Sequence, residues 1–265
     1  MMDKMIFGRY VPAQSLIHKM DPRSKLLLIF LFVCVVFIAN NSITYGILVV
    51  YTFFMVALSK VPIRFILTGL TPVLWLVLFT LVMHLFLTKE GSIIFQAGWF
   101  TIYEEGLRQG IFISLRFFLL ILMTSILTLT TTPIEITDGL ESLLNPLNKL
   151  KFPVHELALM MSISLRFIPT LMQETDKIMK AQTARGVDFS SGPIKDRVEA
   201  IIPLLIPLFV SSFKRAEELA VAMEARGYRG GIGRTKYRLL QWGPTDTFIL
   251  LLLGVVTVLL FLMRS

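Results

Sequence analysis

The hydrophobic positions of this chain form long stretches, and the polar positions are concentrated between them. The clearest stretch covers residues 65–87 without a charged side chain, and as a helix it is long enough to cross a hydrocarbon core of about 30 Å. The first stretch is shorter, and we expect it to span if residues 24–42 are counted and Lys25 extends its ammonium group to the membrane surface. The pattern predicts five transmembrane helices, at residues 26–39, 43–58, 65–87, 111–129 and 248–263.

The region between the fourth and fifth predicted spans begins with a short helix. Thr132 is its predicted N-cap, Pro133 fits the first helical position, and Glu135 completes a capping box. The pattern predicts that this helix ends at the Asn-Pro pair of residues 145–146.

Two longer helical patterns follow, one beginning near Val154 and the other near Pro193. The apolar middle of the second, residues 200–213, is too short to span a membrane. We therefore expect both helices to lie along or beneath the membrane. Kinks are predicted at the prolines that fall within helical segments, Pro72, Pro169, Pro203 and Pro207.

Both long helices end in the same tripeptide, within "AQTARGVDF" and "AMEARGYRG". An apolar stripe with a repeat of about 3.5 residues leads back from each arginine, which predicts that each arginine ends the packed face of its helix. Glycine without a Cβ closes helix C-termini readily, so a single such ending is explained as an ordinary cap. Two endings at the same phase indicate a pair of docking points, because a guanidinium fork binds a carboxylate bidentately. The residues concerned are Ala184, Arg185, Gly186, Ala225, Arg226 and Gly227.

The residues behind the net charge of +8 are concentrated in segments that would lie on one side of the membrane. Of the 26 Lys and Arg residues, 22 precede the first span, separate the second from the third, or lie between residues 129 and 248. Because cytoplasmic loops carry an excess of Lys and Arg, the N-terminus and the long region are predicted to be cytoplasmic and the C-terminus external. The distribution of positive charge therefore indicates how the chain is oriented in the membrane, and it does not indicate a nucleic-acid partner.

The sequence predicts no catalytic, cofactor-binding or metal-binding residues. It has three histidines and one cysteine, and it lacks the Gly-x-x-x-x-Gly-Lys-Ser/Thr loop that cradles phosphates. "HELAL" at His155 resembles the start of a zinc-protease motif, but Leu159 replaces the second histidine.

Arg116, inside the fourth span, is open to two interpretations. Its side chain either extends outward to the membrane surface or faces polar groups of the interior or of a partner.

Several of these segments resemble the energy-coupling factor transporter transmembrane proteins, the CbiQ/EcfT family. "MDPRSKLLL" resembles the family's approach to its first span, and "LTTTPIEITDGLESLLNPL" resembles its short helix ending at proline. "SISLRFIPTL" and the two Ala-Arg-Gly endings match the family's characteristic motifs. Outside these motifs, the first four predicted spans match the family only in their general hydrophobic character.

The resemblance implies a fold class and a function. The fold would be an all-α integral membrane protein, with a four-helix membrane domain at residues 1–130, a cytoplasmic coupling-helix domain at 131–245 and a C-terminal transmembrane helix at 246–265. The chain would be the non-catalytic scaffold of an importer for vitamins or metal ions in the cell membrane. Two ATP-binding cassette ATPase subunits would receive Arg185 and Arg226, and a membrane-embedded S component would capture the solute. A self-sufficient secondary transporter and a membrane-embedded enzyme are the alternatives.

Overall fold

Helices form where the sequence has its long apolar and amphipathic stretches. The computed structural model describes residues 10–97, 100–189, 193–230 and 239–264. One of the elements is a short 3₁₀ helix, Asn145–Leu150. The remaining elements are, in chain order, α1 Leu16–Lys19, α2 Pro22–Val36, α3 Ser42–Ser59, α4 Ile63–Leu87, β1 Ile93–Ala97, β2 Phe100–Tyr103, α5 Glu104–Thr130, α6 Pro133–Leu144, α7 Val154–Ala184, α8 Ile194–Ala225 and α9 Pro244–Leu262.

The expected fold class, an all-α integral membrane protein, is confirmed. Helices α3, α5 and α9 are long and apolar enough to cross a membrane, and α4 qualifies if its two bent halves form one span. Those halves, Ile63–Thr71 and Val73–Leu87, meet at 53°, which confirms the kink predicted at Pro72. Helix α2 has 15 residues, so its crossing depends on flanking residues. Helix α7, expected along or beneath the membrane, also meets the length and hydropathy criteria for a span.

The chain divides into two compact units. We call the first the membrane unit; it contains the chain up to Leu143 and resumes at Leu239. We call the second the coupling unit; it contains the 3₁₀ helix, α7 and α8. By packing, α6 belongs to the membrane unit up to Leu143. The division into residues 1–130, 131–245 and 246–265 concerns the sides of the membrane and stays a prediction.

The core of the membrane unit lies among α2, α3, α5 and α9. Large apolar side chains that are fully buried come from all four helices: Phe32, Leu48, Leu119, Leu253 and Leu260. Many apolar side chains of the same helices point outward and are exposed, among them Phe30, Val50 and Phe261. An outward apolar surface of this extent is expected of helices whose outer solvent is lipid.

A two-stranded antiparallel hairpin connects α4 to α5 and was not predicted. Gly106 and Gly110 at the start of α5 allow it to pack closely against the end of α4. A Cβ atom added to Gly106 would lie 3.0 Å from the Thr88 carbonyl oxygen, and one added to Gly110 would lie 3.3 Å from the His84 Cβ. Small residues at this interface therefore determine how closely the two helices approach.

Candidate docking site at two helix ends

The C-terminus of α7 is closed by backbone hydrogen bonds around its glycine. Gly186 has φ of 93°, a conformation that glycine adopts without the steric penalty of a Cβ. The Gly186 N–H donates to the Thr183 carbonyl at 3.0 Å, and the Val187 N–H donates to the Gln182 carbonyl at 3.0 Å. This pair of bonds is a Schellman motif, and it fixes the direction in which the chain leaves the helix.

The C-terminus of α8 repeats the same arrangement. Gly227 has φ of 73°, its N–H donates to the Glu224 carbonyl at 2.8 Å, and the Tyr228 N–H donates to the Met223 carbonyl at 3.0 Å. The prediction that each glycine closes its helix in a left-handed conformation is confirmed.

The two tips are accessible from the surroundings. All three residues of each tip are exposed, and nothing lies within 4 Å of a Cβ built on either Gly186 or Gly227. Within the described residues, the Arg185 and Arg226 guanidinium groups form no hydrogen bond or ion pair with another side chain. Each tip therefore presents an available cation on a narrow, rigid end.

Helices α7 and α8 run antiparallel, which places the two tips far apart. The Gln182 Nε2 donates to the Pro203 carbonyl at 3.4 Å. Further back along α7, Glu174 accepts hydrogen bonds from the Ser211 hydroxyl at 2.7 Å and from Arg215 at 2.9 Å. In this register Arg226 lies beyond the far end of the contact, and its distance from Arg185 along the α8 axis is roughly 40 Å at about 1.5 Å per residue.

The apolar stripe that leads back from Arg226 is exposed at Ile202, Leu205 and Phe209 and half-buried at Ser212, Leu219 and Met223, so its packing as a whole stays a prediction. In this arrangement α8 directs Ser211 and Arg215 toward the Glu174 carboxylate of α7. Two polar side chains of α8 are thus paired with α7, while the buried Arg215 Nε has no hydrogen-bond partner among the described residues. Apolar side chains of α8 form an exposed surface, which we call the α8 apolar face: Ile202, Leu205, Ile206, Phe209 and Phe213.

Arg116 in α5 contacts groups of the membrane unit. Its Nε donates to the Tyr45 hydroxyl at 3.1 Å and its Nη2 to the Ala39 carbonyl at 3.4 Å. The guanidinium also lies 5.0 Å from the centre of the Phe37 ring, within range of a cation–π interaction. These contacts join α5 to the end of α2 and the start of α3. The guanidinium thus contacts polar groups of the membrane unit, one of which, the Ala39 carbonyl, lies in the turn between α2 and α3.

We expect Arg116→Leu to destabilise the membrane unit, because a hydrogen bond from a charged group contributes about 1.5–3 kcal/mol. Thermal unfolding of the purified chain in detergent measures the effect. Tyr45→Phe removes a single acceptor and should have a smaller effect. An unfolding temperature unchanged by Arg116→Leu would contradict a structural role and leave a role in partner assembly.

A buried polar cluster at the start of α2 was missed by sequence reasoning. Lys25 is 3% exposed, and its Nζ donates to the Thr130 carbonyl at 3.0 Å and to the Thr131 hydroxyl at 3.2 Å. It therefore does not extend to the membrane surface as expected. Asp246 of α9 is 2% exposed and accepts hydrogen bonds from the Asp21 and Gly243 N–H groups and from the Ser24 hydroxyl. The sequence signals were the "DPRSK" segment and an acidic residue beside an apolar helix.

Within the described part of the chain, no group of three or more His, Cys, Asp and Glu side chains has the geometry to hold a metal ion. The arrangement of the tips and of the α8 apolar face is suited to binding other proteins.

The fold is that of a polytopic α-helical membrane protein, and two of its long helices end in glycine-closed tips with exposed arginines. Residues 13–237 match the family described as Cobalt transport protein, CbiQ. The chain is 68% identical, over all 265 residues of both proteins, to the Energy-coupling factor transporter transmembrane protein EcfT of Bacillus subtilis. It is 56% identical to the protein of that name from Listeria innocua and 51% identical to that of Streptococcus thermophilus, with full coverage of each chain. The chain belongs to the CbiQ/EcfT family of energy-coupling factor transporter transmembrane proteins.

Proposed function

We propose that this chain is the transmembrane scaffold of an energy-coupling factor importer, and that its two helix tips dock two ATP-binding cassette ATPase subunits. The observation that carries the proposal is the pair of identical Schellman-closed ends, each with an exposed arginine. An ordinary cap needs the glycine but does not need an exposed arginine beside it. A guanidinium fork in this position is suited to a carboxylate in a groove of another protein.

The antiparallel register of α7 and α8 supports one ATPase subunit per tip. Two tips at opposite ends of a helix pair suit two similar subunits standing side by side, each receiving one arginine. Closure of the subunits on ATP would then move both tips. In this proposal the chain itself is non-catalytic, and its partners supply the energy.

The α8 apolar face supports a second partner, the membrane-embedded S component. Exposed apolar side chains such as Leu205, Phe209 and Phe213 lie together on one face of α8, and grouped exposed apolar side chains are typical of interaction sites. An S component that carries vitamins or metal ions would bury this surface and receive the movement of α8.

Recovery of the ATPase subunits with the parent chain, and their loss from an Arg185→Ala/Arg226→Ala variant, is the principal test.

The proposal requires the tips to face the cytoplasm, where ATP is available. With Cys34 replaced by serine, a cysteine at exposed Thr183 should react with a membrane-impermeant maleimide only after the cells are opened. The predicted topology puts the segment between the third and fourth spans outside, so a cysteine at exposed Ile94 in that segment should react in intact cells and is the matched control. Strong labelling of the Thr183→Cys variant in intact cells would contradict this orientation.

A further inference from the structure

A single guanidinium in the membrane unit contacts both chain segments that connect it to the coupling unit. The Arg23 Nη1 donates to the Ser142 hydroxyl at 3.4 Å, and its Nη2 donates to the Leu240 carbonyl at 3.3 Å. Ser142 lies just before the chain leaves the membrane unit after Leu143, and Leu240 lies just after the chain returns at Leu239. The outgoing and returning segments are therefore joined through one side chain.

Arg23 is held in place by Asp21, the N-cap of α2. The Arg23 Nε and Nη2 donate to the two oxygens of the Asp21 carboxylate at 3.1 and 2.9 Å, a bidentate pairing that fixes the plane of the guanidinium. Asp21 is 3% exposed, and its own N–H donates to the Asp246 carboxylate at 2.9 Å. The fork is thus supported by a buried hydrogen-bonded network that includes the first turn of α9.

The outgoing segment is also packed tightly against α2. A Cβ added to Gly139 of α6 would lie 3.1 Å from the Leu26 Cδ1 and 3.1 Å from the Pro22 Cβ. Helix α6 therefore meets the first turn of α2 without intervening space. At this point the outgoing segment has little freedom to move independently of the membrane unit.

We propose that the Asp21–Arg23 pair is a positioning site that makes the two connecting segments move together, so that movement of the coupling unit is passed to α2 and α9. The proposal rests on the proposed function, because that function supplies the movement. The chain passes between the two units twice, and each passage can transmit a displacement of the coupling unit. If the connections were independent, each could absorb displacement by local rearrangement, whereas a shared fork makes them respond as one.

The test is amide hydrogen exchange of the full complex with its ATPase subunits in lipid nanodiscs, with and without trapping by Mg-ATP and vanadate. In the parent, trapping should change exchange at Asp21–Leu26 and at α6 by about twofold or more, since exchange reports local opening. In Arg23→Gln this response should be reduced to about a third of the parent's or less, while the response at the tips persists. Arg23→Lys, which keeps the charge without the fork, should be intermediate.

Two further variants keep the outcome interpretable. Arg64→Gln removes an exposed cation at the start of α4 and should leave the response unchanged. Ser142→Ala removes only the contact to α6 and should weaken the response even if Arg23→Gln fails to fold. A parent that shows no response in the membrane unit, or a full response in both folded Arg23→Gln and Ser142→Ala, would overturn the inference. If the parent did not recover the ATPase subunits at all, the proposed function would fail instead.

Discussion

Replacing both Arg185 and Arg226 by alanine is expected to release the ATPase subunits from an otherwise folded membrane protein. Each substitution removes a charge-assisted contact worth about 1.5–3 kcal/mol, and every 1.4 kcal/mol is about a factor of ten in affinity. A single substitution should therefore weaken the complex by about tenfold or more. The double variant should lose much more, because two linked contacts reinforce one another through effective concentration. Co-purification of the ATPase subunits with each variant measures the effect.

The chain offers controls for charge and for geometry. Lys180→Ala with Lys214→Ala removes two exposed cations from the same helices and should leave recovery of the subunits near that of the parent. Arg→Lys at both tips keeps the charges but loses the planar fork, so it should rescue binding only in part. Full recovery of the subunits with the double alanine variant would indicate that both motifs are only ordinary helix caps.

The helix ends were predictable because their signals are local. The capping box of α6 is present as expected: the Thr132 N–H donates to the Glu135 carboxylate at 2.9 Å, and the Glu135 N–H donates to the Thr132 hydroxyl at 3.3 Å. Glycine at the end of α7 and α8 has a positive φ for a similarly local reason, because no Cβ obstructs that conformation. Such features depend on residues within one turn of each other, which the sequence displays directly.

The missed features depend on residues that are far apart in the chain. Glu174 of α7 pairs with Ser211 and Arg215 of α8, and in this arrangement Leu205 and Phe209 stay exposed. Burial of Lys25 depends on the Thr130 carbonyl, which becomes its partner only once α5 has packed against α2. Hydropathy and helical period describe one segment at a time. They therefore predict the helices, but not which face of each helix contacts another helix.

Asp246→Ala is expected to destabilise the membrane unit more than Arg116→Leu does. The Asp246 carboxylate accepts hydrogen bonds from the Asp21 and Gly243 N–H groups and from the Ser24 hydroxyl, and Asp21 and Ser24 are 3% and 0% exposed. Removing the carboxylate leaves the Asp21 and Gly243 N–H groups without their acceptor, at about 1–3 kcal/mol each, whereas the Ser24 hydroxyl keeps the Asp21 carbonyl at 2.7 Å. We expect a total loss of about 2–6 kcal/mol from these two donors.

Thermal unfolding of the purified chain tests this expectation, and a chain of this size should unfold roughly 10 °C lower. Asp246→Asn retains one acceptor oxygen and should be affected less, because at least one of the donors keeps its partner. Glu90→Ala removes an exposed carboxylate and should unfold with the parent, which separates loss of the buried acceptor from loss of charge. If Asp246→Ala also unfolded with the parent, the Asp21 and Gly243 N–H groups would have to find other partners, and the network that supports Arg23 would not depend on α9.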